Sequence, residues 1–203
     1  NGSGAGSFME VLSTIYQAGS NVCLPGNKTI AFNIPAATDP GCDAVSGICR
    51  VQVPADFNLR CANVLVDGYS QPGAAPNTAT DRTNNAAIKI ELATDFAPGT
   101  SQGSVTIGRS TTHPFGNIGA SNVTIRGIAF PRHTLNIFTG NSGSVIHGGF
   151  GGHVVSGNLF GWHADGTRAT GVVGKGIRIN GAFLQNLRIG GPDPGDRNLF
   201  THR

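Results

Sequence analysis

A short phrase that occurs five times between residues 122 and 203 constrains this chain more than any other feature. It reads Asn122-Val-Thr-Ile-Arg-Gly127, Ser144-Val-Ile-His-Gly-Gly149, His153-Val-Val-Ser-Gly-Asn158, Asn186-Leu-Arg-Ile-Gly-Gly191 and Asn198-Leu-Phe-Thr-His-Arg203. Each copy places a polar or small residue before two or three strand-forming positions, and most then reach Gly or Asn. Such a pattern predicts short strands with a tight corner after each, because Gly and Asn tolerate left-handed backbone angles. The copies run in one chain direction at spacings of 22, 9, 33 and 12 residues. Parallel stacking follows, with several strands per coil and loops of unequal length. Hairpin dipeptides such as Asp67-Gly68, Asp165-Gly166 and Asn180-Gly181 join no two strands of matched length, which argues against an antiparallel meander.

Composition points the same way. With 31 glycines, 12% charged residues and few helix formers among 203 residues, the chain reads as all-β with many turns. Its net charge is +3 and it has no Lys/Arg run, which disfavours nucleic acid or an anionic membrane as partner. No stretch is apolar for the length of a membrane span, and no basic-then-apolar leader is present. An exported chain is therefore expected to have lost its signal already. Cys23, Cys42, Cys49 and Cys61 form no CxxC pair and have no histidine at zinc-site spacing. Two disulfides in an oxidising compartment fit them better than a metal site or four free thiols. Three connectivities are open, of which Cys42 with Cys49 and Cys23 with Cys61 is preferred.

Along the chain, Ser7 and Glu10 form a capping box, and Phe8, Val11, Leu12 and Ile15 share one face of a helix ending near Gly19. Its expected role is to cover an open hydrophobic end. Strands are predicted at 29–34, 50–53, 63–67, 87–92 and 104–107, and then at the phrases and at 176–180. One domain is expected, divided into a capping region (1–21), disulfide-bearing coils with long loops (22–121) and regular coils (122–203).

Several segments carry a resemblance. They are Thr29-Ile-Ala-Phe-Asn-Ile-Pro35, Val66-Asp-Gly-Tyr-Ser-Gln-Pro-Gly73, Ile88-Lys-Ile-Glu-Leu92, Ser156-Gly-Asn-Leu-Phe-Gly161 and Ile189-Gly-Gly-Pro-Asp-Pro-Gly-Asp-Arg-Asn198. With the Gly6-Ser7 helix start, they span nearly the whole chain. In that order they resemble the exported bacterial right-handed parallel β-helix repeat proteins, which have the pectin-lyase-like fold. The resemblance implies a right-handed parallel β-helix, a solenoid with a short N-terminal capping helix, in a secreted or cell-surface protein.

Residues able to carry chemistry are sparse. Arg126, Arg178 and Arg188 alternate with apolar neighbours and should point outward, either toward an anionic sugar chain or as solvated residues that block edge pairing. Trp162, beside His163, offers a flat face to a sugar ring or a packed cover over the coil's side. Asp67, Asp165, Asp193 and Asp196 sit in corners and turns, where an aspartate bonds its own backbone. No strand displays a pair of acids on one face, so a glycosidase pair is not visible. His147, His153 and His163 fit a scatter of surface histidines better than a metal site. Asn27-Lys-Thr29 and Asn122-Val-Thr124 match the glycosylation pattern. No catalytic residue, cofactor or metal is assigned.

The expected function is a non-catalytic extracellular structural β-helix, an adhesin-like or fibre-forming module. A lyase or hydrolase of acidic polysaccharides and a carbohydrate-binding module are the alternatives. The last phrase, with Asn198, Leu199, Phe200 and Thr201, is an unfinished coil. It is expected either to continue in a longer protein or to stack head to tail on another subunit as a filament.

Overall fold

The computed structural model describes residues 6–16, 23–54, 56–93, 103–107, 120–138, 151–170, 176–180 and 185–201. Among the described residues one α-helix, α1 (Phe8–Ile15), precedes fourteen short strands. In chain order these are β1 (Lys28–Ala31), β2 (Cys49–Gln52), β3 (Asp56–Leu59), β4 (Val64–Asp67), β5 (Ile90–Ala93), β6 (Gly103–Ile107) and β7 (Val123–Arg126). They continue with β8 (Ile128–Phe130), β9 (His133–Phe138), β10 (Val154–Ser156), β11 (Leu159–Phe160), β12 (Ile177–Asn180), β13 (Arg188–Ile189) and β14 (Leu199–Phe200).

The strands fall into three sheets, ordered β1-β4-β7-β10-β13, β2-β5-β8-β11-β14 and β3-β6-β9-β12. The chain visits the sheets in turn, and each strand pairs in parallel with the strand three places earlier or later. The described residues thus form an all-β fold of parallel sheets with one short helix. Three of the recurring phrases, at Asn122, His153 and Asn186, supply β7, β10 and β13 of the first sheet. The phrase at Asn198 supplies β14 of the second, stacked on Leu159 and Phe160. The four copies within the described residues therefore mark two positions in the circuit, which accounts for the unequal spacing among them. The copy at Ser144 lies outside the described residues.

Register stacks like on like. In the third sheet Leu59, Ile107, Ile137 and Ile179 form one row, and Phe57, Val105, Leu135 and Ile177 another. In the second, the rings of Phe130, Phe160 and Phe200 stack at 5.1 and 5.0 Å, within 8° of parallel. The buried members of these rows belong to the core, and each buried Leu, Ile or Phe contributes roughly 1.5–3 kcal/mol of transfer free energy. Asn63, Asn122 and Asn186 stand at the entry to the first sheet with φ of 57°, 52° and 54°. The Asn122 side-chain Nδ2 donates to Asn63 Oδ1 at 3.0 Å, one circuit away. At the next corner Gly127 and Gly157 (φ 69° and 65°) let Tyr69 pass. A Cβ on Gly157 would lie 2.3 Å from the Tyr69 hydroxyl.

The ends differ. The Ser7 hydroxyl accepts the Glu10 amide at 3.2 Å, so α1 begins where the capping box places it. The helix closes on Tyr16, and residues 17–22 lie outside the described residues. Phe8, Leu12 and Ile15 are buried, with the Phe8 ring against Phe32 and Phe57. Cys23–Cys61 ties this region down, and Cys42–Cys49 closes a small loop. At the other end the last inward residues of the three sheets, Ile179, Ile189 and Phe200, are 50%, 41% and 45% exposed.

Strand pairing also departs from the sequence pattern in places. β1 stops at Ala31, short of Ile34, because the Ser70 hydroxyl accepts the Phe32 amide and Gln71 Oε1 accepts the Ile34 amide. β5 begins at Ile90, since Ala87 is bridged to Ala75 instead. β3, β8, β9 and β11 have no counterpart among the predicted strands.

Candidate functional site

The outer face of the second sheet carries one row of Arg50, Glu91, Ala129 and Leu159 in register. After β11 the chain folds back over this row as a loop, 161–169. It is held by bridges between Trp162 and Arg168 and by the Ala169 amide on the Gly161 carbonyl. Trp162 and Ala164 pack on Ile88, Ala129 and Leu159, forming a small second apolar cluster outside the main core. Beneath the loop lies Glu91, only 3% exposed.

A buried carboxylate needs partners, and Glu91 has three. Its Oε2 accepts the Ala164 amide at 3.1 Å. Its Oε1 lies 3.1 Å from His163 Nδ1 and 3.3 Å from Arg50 Nε. Bonding an ionised carboxylate requires Nδ1 of His163 to donate, which leaves Nε2 as the basic nitrogen of the ring. Two clefts meet at Arg50. One, of about 260 Å³, is lined by Arg50, Glu91, Ala93, Pro131, Arg132 and His163. The other, of about 620 Å³, runs past Asp43, Gln52 and Asp165 toward the Cys42–Cys49 loop. Amides of Val45 and Ser46 and the Ser46 hydroxyl hold the Asp43 carboxyl below its usual range. The Thr167 hydroxyl and amide do the same for Asp165. Together these residues form a charged, partly enclosed surface, with one imidazole oriented by a buried carboxylate.

The residues singled out in the sequence are placed apart from one another. Arg126 forks onto Asp67 one circuit away, with Nε and Nη2 at 2.9 and 2.8 Å from the carboxylate. Asp67 also caps the turn at Gly68 by accepting the Tyr69 amide. Arg188 lies 3.5 Å from Asp196. Both arginines belong to the first sheet, whereas Arg178 is on β12 of the third. Trp162 is a packed cover over the second sheet, its indole nitrogen buried without a hydrogen-bond partner among the described residues. Asp193 precedes a 3-10 turn (Pro194–Asp196) and makes no side-chain cap bond there.

His153 corrects the reading of surface histidines. It is fully buried, taking the core position beside Val123, and its Nδ1 accepts the Val123 amide at 3.3 Å. His163 lies on the outside and His147 falls outside the described residues, so the structure does not assemble the three. No group of three or more metal-ligating side chains occurs among the described residues.

Glu91 is the residue that sequence reasoning missed. Its outward place in Ile88-Lys-Ile-Glu-Leu92 is legible, but alternation assigns an outward glutamate to solvent. The loop that buries it comes from 72 residues further along, and no local signal announces that contact. Comparison of the chain with known protein families, curated proteins and solved structures finds no match. No described helix is long and apolar enough to cross a membrane, and the two disulfides suit an oxidising, extracytoplasmic setting.

Proposed function

We propose that the three parallel sheets are the faces of a right-handed parallel β-helix serving as a non-catalytic structural module of an exported surface or fibre-forming protein. The right-handed turn follows the general rule for parallel crossover connections. Support comes mainly from the stack of Phe130, Phe160 and Phe200, which ends on a half-exposed ring, with Ile179 and Ile189 exposed on the other two sheets. Among the described residues β12, β13 and β14 are the last strands of their sheets, and their outer edges beside these side chains are templates for further strands.

A second copy of the chain carries the same edges and the same exposed side chains, and we take it as their occupant. α1 covers the opposite end through Phe8, Leu12 and Ile15, so strand stacking from head to tail requires that helix to move. The contact is accordingly open end to open end, which closes as a dimer where head-to-tail stacking would run on as a filament. Light scattering over a concentration series tests this. The expected mass rises toward twice the 20.8 kDa of one chain, and Ile179→Lys with Phe200→Ser keeps the protein monomeric. A wild type that stays monomeric at millimolar concentration contradicts the reading.

A further inference from the structure

The open end is a stair, not a plane. Because the chain visits the sheets in order, β12, β13 and β14 are successive parts of one turn. Circuits lie about 4.8 Å apart, so each of these strands stands roughly 1.6 Å further out than the one before. Where β14 ends above the start of β12, the stair drops by a full strand spacing. Phe200 marks that drop: a Cβ on Gly176, just before β12, would lie 2.6 Å from its ring. One circuit inside, Ile137, Val155 and Phe160 are 0%, 0% and 1% exposed. Their row-mates at the end are the half-exposed Ile179, Ile189 and Phe200. The same burial at the end requires one further layer on all three sheets together.

A second copy joined end to end is related by a two-fold axis across the helix end, which sets its strands antiparallel. The axis can run through any one of the three last strands. Through β14 it opposes the two highest strands, and the other two sheets are held apart by a further strand spacing. Through β12 it opposes the two lowest strands, which are then held apart by the same amount. Through β13 the steps cancel, because the highest strand of each copy meets the lowest of the other. We propose that the axis runs through β13, with β13 pairing the partner's β13 and each β12 pairing the other copy's β14. The proposal rests on the end-to-end reading of the open end and adds where its symmetry lies. Residues opposite one another in a sheet share a face. Ile189 therefore lies beside the partner's Ile189, and the partner's Phe200 lies on the row of Ile177 and Ile179. Arg188, 3.5 Å from Asp196, reaches the axis with its charge already compensated.

Opposed residues of antiparallel strands are within disulfide reach, and the four native cysteines are all bridged. Mild oxidation of single-cysteine variants, under conditions where light scattering finds the dimer, tests the axis. Arg188→Cys or Ile189→Cys is expected to cross-link to its own copy. Phe200→Cys is expected to stay uncross-linked alone and to join Ile177→Cys or Ile179→Cys in a mixture. Light scattering and the amide spectrum show that each variant is folded and dimeric. Deuterium exchange of the wild type needs no substitution: dimerisation should slow backbone amides in β12, β13 and β14 alike. A Phe200→Cys or Ile179→Cys chain that cross-links to its own copy overturns the proposal and leaves the end-to-end dimer standing. Slowing that misses one of the three strands does the same. A wild type that stays monomeric overturns both.

Discussion

At the residue scale, two histidines stand where the rows otherwise place aliphatic side chains. His133 opens β9 on the same face as Leu135 and Ile137, with both ring nitrogens buried and unpartnered among the described residues. Burial disfavours the charged ring and pushes its pKa down to about 4. His153 shifts downward for the same reason. The unfolded chain takes up protons below about pH 6.5, while the folded chain holds these rings neutral. Stability is therefore full above that pH, falls as the pH drops, and for His133 levels off near 4. The His133 contribution amounts to roughly 3 kcal/mol at about 1.4 kcal/mol per pKa unit. Urea unfolding at pH 7.5 and 4.5 should show this loss, and His133→Leu should remove most of it. An equal pH dependence in the variant would count against the assignment. Asn158 is the contrasting case of a buried polar group fully used. Its amide donates to the Ile125 carbonyl at 2.9 Å, and its Oδ1 accepts the Ile128 amide at 3.1 Å. Asn158→Leu strands both backbone groups and should cost about 2–4 kcal/mol, read from the urea midpoint.

At the scale of elements, the disulfides act unequally. Cys23–Cys61 spans 38 residues and joins the segment after α1 to the segment after β3, whereas Cys42–Cys49 spans 7. Loop-closure entropy gives about 4 kcal/mol for the first and about 2 for the second. Replacing Cys23 and Cys61 with alanine should lower the melting temperature more than replacing Cys42 and Cys49. The reverse order would show that native-state packing outweighs chain entropy. Elements differed too in how plainly the sequence announced them. β4, β7, β10 and β13 were legible because Asn or Gly marks their entry or exit and Val or Ile alternates between. β8 follows β7 after the single corner residue Gly127, where the phrase closes, and its three residues Ile128–Phe130 are too short to show a pattern of their own. β3 has only Phe57 and Leu59 as inward residues, too few for a pattern. β9 carries His133 at an inward position, which breaks the apolar alternation. The cleft was illegible for another reason: Arg50, Glu91 and His163 meet only through register across circuits and a returning loop.

At the scale of the whole molecule, one rule accounts for most of the architecture: the chain passes three sheets in order, and each strand lies parallel to the one three places before it. The rule places the aromatic stack, the asparagine corners and the Asp67–Arg126 pair. Contacts between Val123 and His153 and between Ile128 and Asn158 each link residues 30 apart, while Asn63 and Asn122 are 59 apart. Loop length varies, and the stack absorbs it outside the sheets. Interstrand nuclear Overhauser effects along the first sheet measure the rule most directly. Backbone cross-peaks of parallel type should connect Val64 with Val123, Thr124 with Val154, and Val154 with Arg188. Antiparallel cross-peaks between sequential strands, such as β10 with β11, would contradict it.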